Sequence, residues 1–205
     1  MKLILTSKDF LNDKSKKIII DNLDKPISLC KVLFIPSKWK LLGEENINKY
    51  LTRLEYDGFN KDNCYILDYN NVQNYKDLNV DVIYVGGGNT FELLNNLRKS
   101  RFDKILIKYI KNNVTYVGGS AGTHIITKNI KHVLDFDDNL VKLRNFNALG
   151  IFDGIIFCHY TDEREKYFLK SKNAHKFKTY KLKDEEAIII YSNGKKIEFT
   201  FFKSN

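Results

Sequence analysis

A chain of 205 residues that is 43% hydrophobic and 13% aromatic suits one domain with a full core, and it carries no internal repeat at solenoid periods and no low-complexity linker. No apolar run reaches the roughly eighteen residues a membrane span needs, so no membrane partner is expected. The formal net charge of +9 sits on lysines scattered through a Lys-, Asn- and Ile-rich composition, which reads as compositional bias, not as a nucleic-acid footprint.

In chain order, "KLILT" (2–6) is a short apolar strand, too short for a signal-peptide core and without a small-residue cleavage site. Residues 10–23 carry apolar positions at helical spacing, and "KVLFIPS" (31–37) is the next strand. Residues 45–59 are helical, with Ile47, Tyr50, Leu51 and Leu54 on one face. "CYILDY" (64–69) and "VDVIYVGG" (80–87) are strands; "TFELLNNLRKS" and "RFDKILIKYIKNN" are helices; "VTYVGG" (114–119) is a strand. Continuous apolar runs alternating with helices predict an α/β fold with a mostly parallel sheet between helices. Within the lysine-dense stretch 170–183, alternation around Phe177 reads as a strand with one solvated face. "HKFKTYKL", "EAIIIYS" and "KKIEFTFF" then predict an antiparallel C-terminal meander extending the main sheet, with an Asn-Gly hairpin in "SNGK" (192–195). The whole of 1–205 is expected to be a single domain. Cys30, Cys64 and Cys158 are odd in number and widely spaced, which points to a reducing, cytoplasmic setting.

Parallel sheets carry their sites at the carboxyl ends of strands, and two glycine clusters lie at such ends. "GGSAG" (118–122) matches the G-x-S-x-G elbow, in which small neighbours let a strand reverse sharply into a helix and present a serine hydroxyl above the sheet. The Ala121 amide would face a developing oxyanion. "GGGNT" (86–90) offers a second oxyanion donor at Gly88, with Asn89 and Thr90 as helix caps and Asn89 also a candidate substrate contact. The alternative is a non-catalytic glycine-loop module that binds a nucleotide or an acidic metabolite, although neither cluster completes a dinucleotide or P-loop pattern.

A serine needs a base. His124 falls on the elbow helix and points along it; His132 and His175 sit in charged, exposed-looking segments. His159 ends the apolar run "GIIFCH" (154–159), at the sheet edge that carries the elbow. Cys158 faces the opposite way and should be buried. The orienting acid is open between the late turn, with Asp184, Glu185 and Glu186, and the cluster Asp135, Asp137 and Asp138. No metal-ligand spacing occurs, and no cofactor is expected.

"YVGGGNTFELL", "YVGGSAGTHII" and "LGIFDGIIFCHYTDERE" together resemble the peptidase E family, the α-aspartyl dipeptidase group of serine peptidases, over most of the chain. The resemblance implies a fold like that of class I glutamine amidotransferase domains and a cytosolic exopeptidase that cleaves short peptides. Ser120 would be the nucleophile and His159 the base. The family's acid, a glutamate in the late turn, matches Asp184 best, with Glu185 the alternative at a one-residue shift. An aspartate after the family's elbow helix matches Asp135 approximately. The arginine credited with aspartyl specificity matches Arg164, in a segment shorter than usual, which implies a more open pocket and several acceptable peptides. A monomer or homodimer is expected.

Overall fold

A computed structural model describes residues 1–38, 43–192 and 197–203. Its main sheet contains, in spatial order, β3 (Cys64–Ile66), β2 (Val32–Ile35), β4 (Val82–Val85), β5 (Thr115–Gly119), β1 (Lys2–Thr6), β8 (Ala187–Ser192) and β9 (Ile197–Phe202). The first five run parallel; β8 is antiparallel to β1, and β9 to β8. This is the mostly parallel α/β architecture expected, with antiparallel strands at the C-terminal end.

The parallel strands are apolar throughout because both faces are covered. Alternate residues feed two cores. Leu3, Leu5, Ile83, Val85 and Tyr116 face α3 (Thr90–Ser100), α4 (Phe102–Lys111) and α5 (Ala121–Ile125). Ile4, Val82, Tyr84 and Val117 face the other way, with Ile19 of α1 (Asp13–Asp21) and Leu54 of α2 (Gly43–Asp57). The first predicted helix starts late because the Asn12 side chain accepts from the amides of Lys14 and Ser15 and caps α1.

Strand register aligns one edge of the sheet. Thr6 lies beside Gly119, Leu5 beside Gly118, and Val85 beside Gly118. The carboxyl ends of β1, β4 and β5 are therefore level, and the chain leaves all three on one edge.

Two expectations are corrected. β7 (Thr179–Lys181) does not join the C-terminal meander; it pairs in parallel with β6 (Ile155–Phe157), apart from the main sheet. The lysine-dense stretch 170–183 begins in the last turns of α6 (Glu165–Ala174), the crossover that parallel pairing requires, and ends past β7; Phe177 falls in the bend between helix and strand. β8 and β9 are antiparallel neighbours as expected, but positions 193–196 of the predicted Asn-Gly hairpin lie outside the described residues. Among the described residues no helix is long and apolar enough to cross a membrane, and all three cysteines are free thiols.

Candidate active site

Ser120 occupies the turn between β5 and α5 with φ 47° and ψ −104°, a conformation non-glycine residues avoid. Such strain costs on the order of 1–3 kcal/mol and persists only where the surroundings enforce it. They do so here through hydrogen bonds. The Ser120 amide donates to Thr6 O at 3.1 Å, and the Ser120 carbonyl accepts from the His124 amide at 2.8 Å. Thr123 Oγ1 donates to Thr6 O at 2.6 Å and to Gly118 O at 2.8 Å. Gly122 is a steric necessity, since a Cβ there would lie 2.0 Å from Val85 O.

His159 follows β6, also at positive φ (54°). Its Nε2 is 2.8 Å from Ser120 Oγ, and its Nδ1 is 2.6 Å from Asp184 Oδ1. Asp184 arrives from the turn between β7 and β8. The β6 and β7 segments are tied beyond the strands themselves, with the Leu182 amide donating to Phe157 O (3.0 Å) and the Tyr160 amide to Leu182 O (3.1 Å). The β6–β7 pairing that sequence patterning missed thus sets the imidazole–carboxylate distance. Two further residues at the end of β1 complete the cluster. Ser7 Oγ accepts from the His159 amide at 2.7 Å and donates to Asp184 Oδ1 at 3.1 Å, and Lys8 Nζ lies 3.4 Å from Asp184 Oδ2. Burial pushes the Asp184 carboxyl up, but hydrogen bonds from His159 and Ser7 and the charges of His159 and Lys8 outweigh it and hold the group below its ordinary value. Sequence patterning passed over Ser7 and Lys8, although their position just after a parallel strand was the available signal.

The other glycine loop passes beside the serine, since a Cβ built on Gly87 would come 3.7 Å from the Ser120 Cβ. Gly88 has φ 137° and fits tightly against Ser37, whose Oγ would be 2.2 Å from an added Cβ. The loop is anchored from below by Asp9, which accepts from the Gly87 amide and from Arg53 Nη2 at 3.1 Å. Burial raises the Asp9 carboxyl, with Arg53 opposing, and burial likewise raises Asp57, the second partner of Arg53, to about 6. The Asn89 side chain is engaged at both ends. Its Oδ1 accepts from the Glu92 amide and caps α3, and its Nδ2 donates to Asp138 O at 2.8 Å.

A cleft of about 190 Å³ opens over Ser120 and His159, lined also by His124, Phe136, Asp137 and Arg164. The Arg164 guanidinium stacks 4.8 Å from the centre of the Phe136 ring. Asp137 Oδ2 accepts from the Thr90 amide at 2.8 Å. The alternative acids do not meet the histidine. Asp135 is paired with Lys170 at 2.5 Å, and the carboxylate at His159 Nδ1 is that of Asp184, not Glu185. His132 is buried, not exposed; its Nε2 donates to Ile156 O at 3.1 Å and its ring meets that of His124 edge-on at 5.1 Å. Desolvation lowers His132 to about 4 and His124 well below the ordinary imidazole value, so both stand neutral beside the cleft. Cys158 is buried as expected, and burial pushes its thiol far up. Among the described residues, no group of three or more His, Cys, Asp or Glu side chains is arranged to hold a metal.

Comparison with known proteins agrees with this architecture. The chain is 34% identical over 122 residues to an uncharacterized peptidase of Listeria monocytogenes, covering 57% of this chain and 58% of that one. It is 33% identical over 82 residues to Peptidase E of Streptomyces coelicolor, covering 40% of this chain and 33% of that one. The alignments thus span less than two thirds of these relatives' own lengths. A crystal structure of a protein from Listeria monocytogenes EGD-e, provisionally identified as a peptidase E, superposes with a TM-score of 0.75 at 25% identity, covering 98% of both chains. A peptidase from an acI-B1 actinobacterium shares the fold, with a TM-score of 0.58 at 18% identity over 97% of this chain and 86% of that one. The sequence model of Peptidase family S51 matches residues 3–198, nearly the whole length, and the chain belongs to that family.

Proposed function

We propose that the protein is a serine exopeptidase acting on short peptides, with the whole chain serving as one catalytic unit. The observation that carries this reading is the unbroken hydrogen-bond line from Ser120 Oγ through His159 to Asp184, at 2.8 and 2.6 Å. His159 Nε2 takes the Ser120 proton as Oγ attacks the scissile carbonyl, then delivers it to the leaving amine. Asp184 holds the proton on Nδ1, which keeps the Nε2 lone pair aimed at the serine, and stabilises the imidazolium once formed. The amides of Ala121, opening α5, and of Gly88 hold the oxyanion, each worth about 3 kcal/mol. Water then repeats the attack on the acyl-enzyme.

The cleft favours small substrates, because its volume of about 190 Å³ is below the roughly 300–1,000 Å³ of drug-sized sites. It is also lined by Asp137, which suits the N-terminal ammonium of a peptide, and by Arg164, which suits an acidic side chain. Arg164, braced on Phe136, suits a carboxylate because its guanidinium forms paired hydrogen bonds. All three members of the triad come from one chain, so a monomer and a homodimer serve equally.

The test is covalent labelling with a fluorophosphonate. Labelling of the wild type that vanishes in Ser120→Ala supports the hydrolase. Absence of labelling together with tight nucleotide binding would return the protein to the binding-module alternative.

A further inference from the structure

Ser7 is fully buried at the end of β1, yet its hydroxyl touches two of the three groups assigned to catalysis. The direction of each bond is fixed by chemistry. A backbone N–H can only donate, so Ser7 Oγ accepts from the His159 amide at 2.7 Å. An ionised carboxylate can only accept, so the single Ser7 proton goes to Asp184 Oδ1 at 3.1 Å. The hydroxyl also lies 3.3 Å from His159 Nδ1, closing a triangle around the imidazole–carboxylate bond.

This arrangement does two things that the other contacts leave undone. It satisfies the amide of His159, whose backbone is held in the left-handed region at φ 54°. It also gives Asp184 Oδ1 a second donor beside Nδ1–H, which stops the carboxylate from rotating its other oxygen onto the ring. That other oxygen, Oδ2, faces Lys8 at 3.4 Å. The support is rigid, because β1 is hydrogen-bonded on both sides, to β5 and to β8, up to Thr6. One hydroxyl just past the end of β1 therefore couples the backbone that carries the base to the carboxylate that orients it.

We infer that Ser7 is a positioning residue for catalysis, fixing the mutual orientation of His159 and Asp184 without touching substrate. The inference rests on the serine-peptidase reading of the site. Its test measures fluorophosphonate labelling of Ser120 as separate inactivation rate (kinact) and affinity (KI) constants, in the wild type and in Ser7→Ala. Misplacement of a reacting group by about 1 Å costs about 100-fold, so kinact should fall by roughly that factor while KI stays within about twofold. Proton NMR gives a second readout. The downfield Nδ1–H resonance of His159 should be present in the wild type, absent in Asp184→Asn, and moved upfield in Ser7→Ala. A merely structural role would lower thermal stability and leave kinact and that resonance in place. Should Ser7→Ala fail to fold, the size-matched Ser7→Cys carries the test, because a thiol is too weak a donor to replace the bond to Asp184. The inference is overturned if a folded Ser7 variant labels at the wild-type kinact with an unmoved resonance. If the wild type itself does not label, the hydrolase reading fails by that result, and the NMR comparison still decides whether Ser7 orients the His159–Asp184 pair.

Discussion

Asp184→Asn preserves shape and removes charge, so it isolates what the carboxylate does. The native group accepts from His159 Nδ1–H at 2.6 Å and from the Ser7 hydroxyl at 3.1 Å through one oxygen, and faces the Lys8 ammonium at 3.4 Å through the other. An asparagine cannot satisfy that set. If its carbonyl stays on the imidazole, its NH2 faces the Lys8 ammonium, donor against donor. If it flips, its NH2 faces Nδ1 and selects the tautomer with the proton on Nε2, which cannot accept the Ser120 proton. The expected loss is about 10⁴-fold in kcat, equivalent to about 5.5 kcal/mol of barrier. Folding should suffer little. Asp184 and Lys8 are about a third to a half exposed, with side-chain accessibilities of 34% and 46%, and such pairs contribute at most about 1 kcal/mol. The sign with pH is set by the lowered carboxyl: its contribution is present at neutral pH and disappears as acid protonates the folded group. Hydrolysis of aminoacyl anilides, fluorophosphonate labelling rates and Tm would be measured on the same preparations. The reasoning is refuted if Asp184→Asn stays within about tenfold of the wild type while Glu185→Gln or Asp135→Asn collapses.

Arg164→Ala should lower kcat/KM for peptides with an acidic side chain by about 10- to 100-fold and leave neutral peptides nearly unchanged; a dipeptide panel checks this, and equal loss on both classes would sink the role. The same panel on the wild type should show several short peptides turned over with at most a modest preference for N-terminal Asp. Gly122→Ala drives a Cβ to 2.0 Å from Val85 O, a backbone atom that cannot yield cheaply. A stability loss of at least about 3 kcal/mol is expected by urea denaturation, and a near-native midpoint would contradict the close approach. His132 is buried and neutral, lowered to about 4, so below pH ~6.5 the unfolded chain binds a proton that the folded chain refuses. Stability should therefore fall by up to about 3 kcal/mol between pH ~6.5 and ~4, and His132→Gln should show a shallower fall in the urea midpoint over that window. An unchanged pH slope would disprove the assignment.

Local pattern alone determined the architecture, because a strand buried on both faces must be apolar throughout, and a helix between two such strands forces a parallel crossover. The runs 31–37, 80–87 and 114–119 carry that signal, and β2, β4 and β5 lie within them. Ser120 and His159 could be singled out in the same way, since the steric demands of a strand-to-helix reversal and the carboxyl-edge rule are both local. The tertiary structure decided the rest. Whether "KTYKL" pairs with β8 or with β6 depends on partners distant in sequence, and the parallel β6–β7 pairing is what brings Asp184 within 2.6 Å of His159. The choice of Asp184 over Glu185 is a matter of one residue of register, which composition does not encode. Asp135 and Asp137 are equivalent in the sequence, yet one is spent on Lys170 and the other lines the cleft. His132 looks exposed among charged neighbours and is buried, because its Nε2 finds the Ile156 carbonyl. Ser7 is an ordinary strand-end serine until parallel pairing levels β1 with β5. Its role comes from three chain segments converging on one hydroxyl, and side-chain convergence is a property of the fold, not of sequence periodicity.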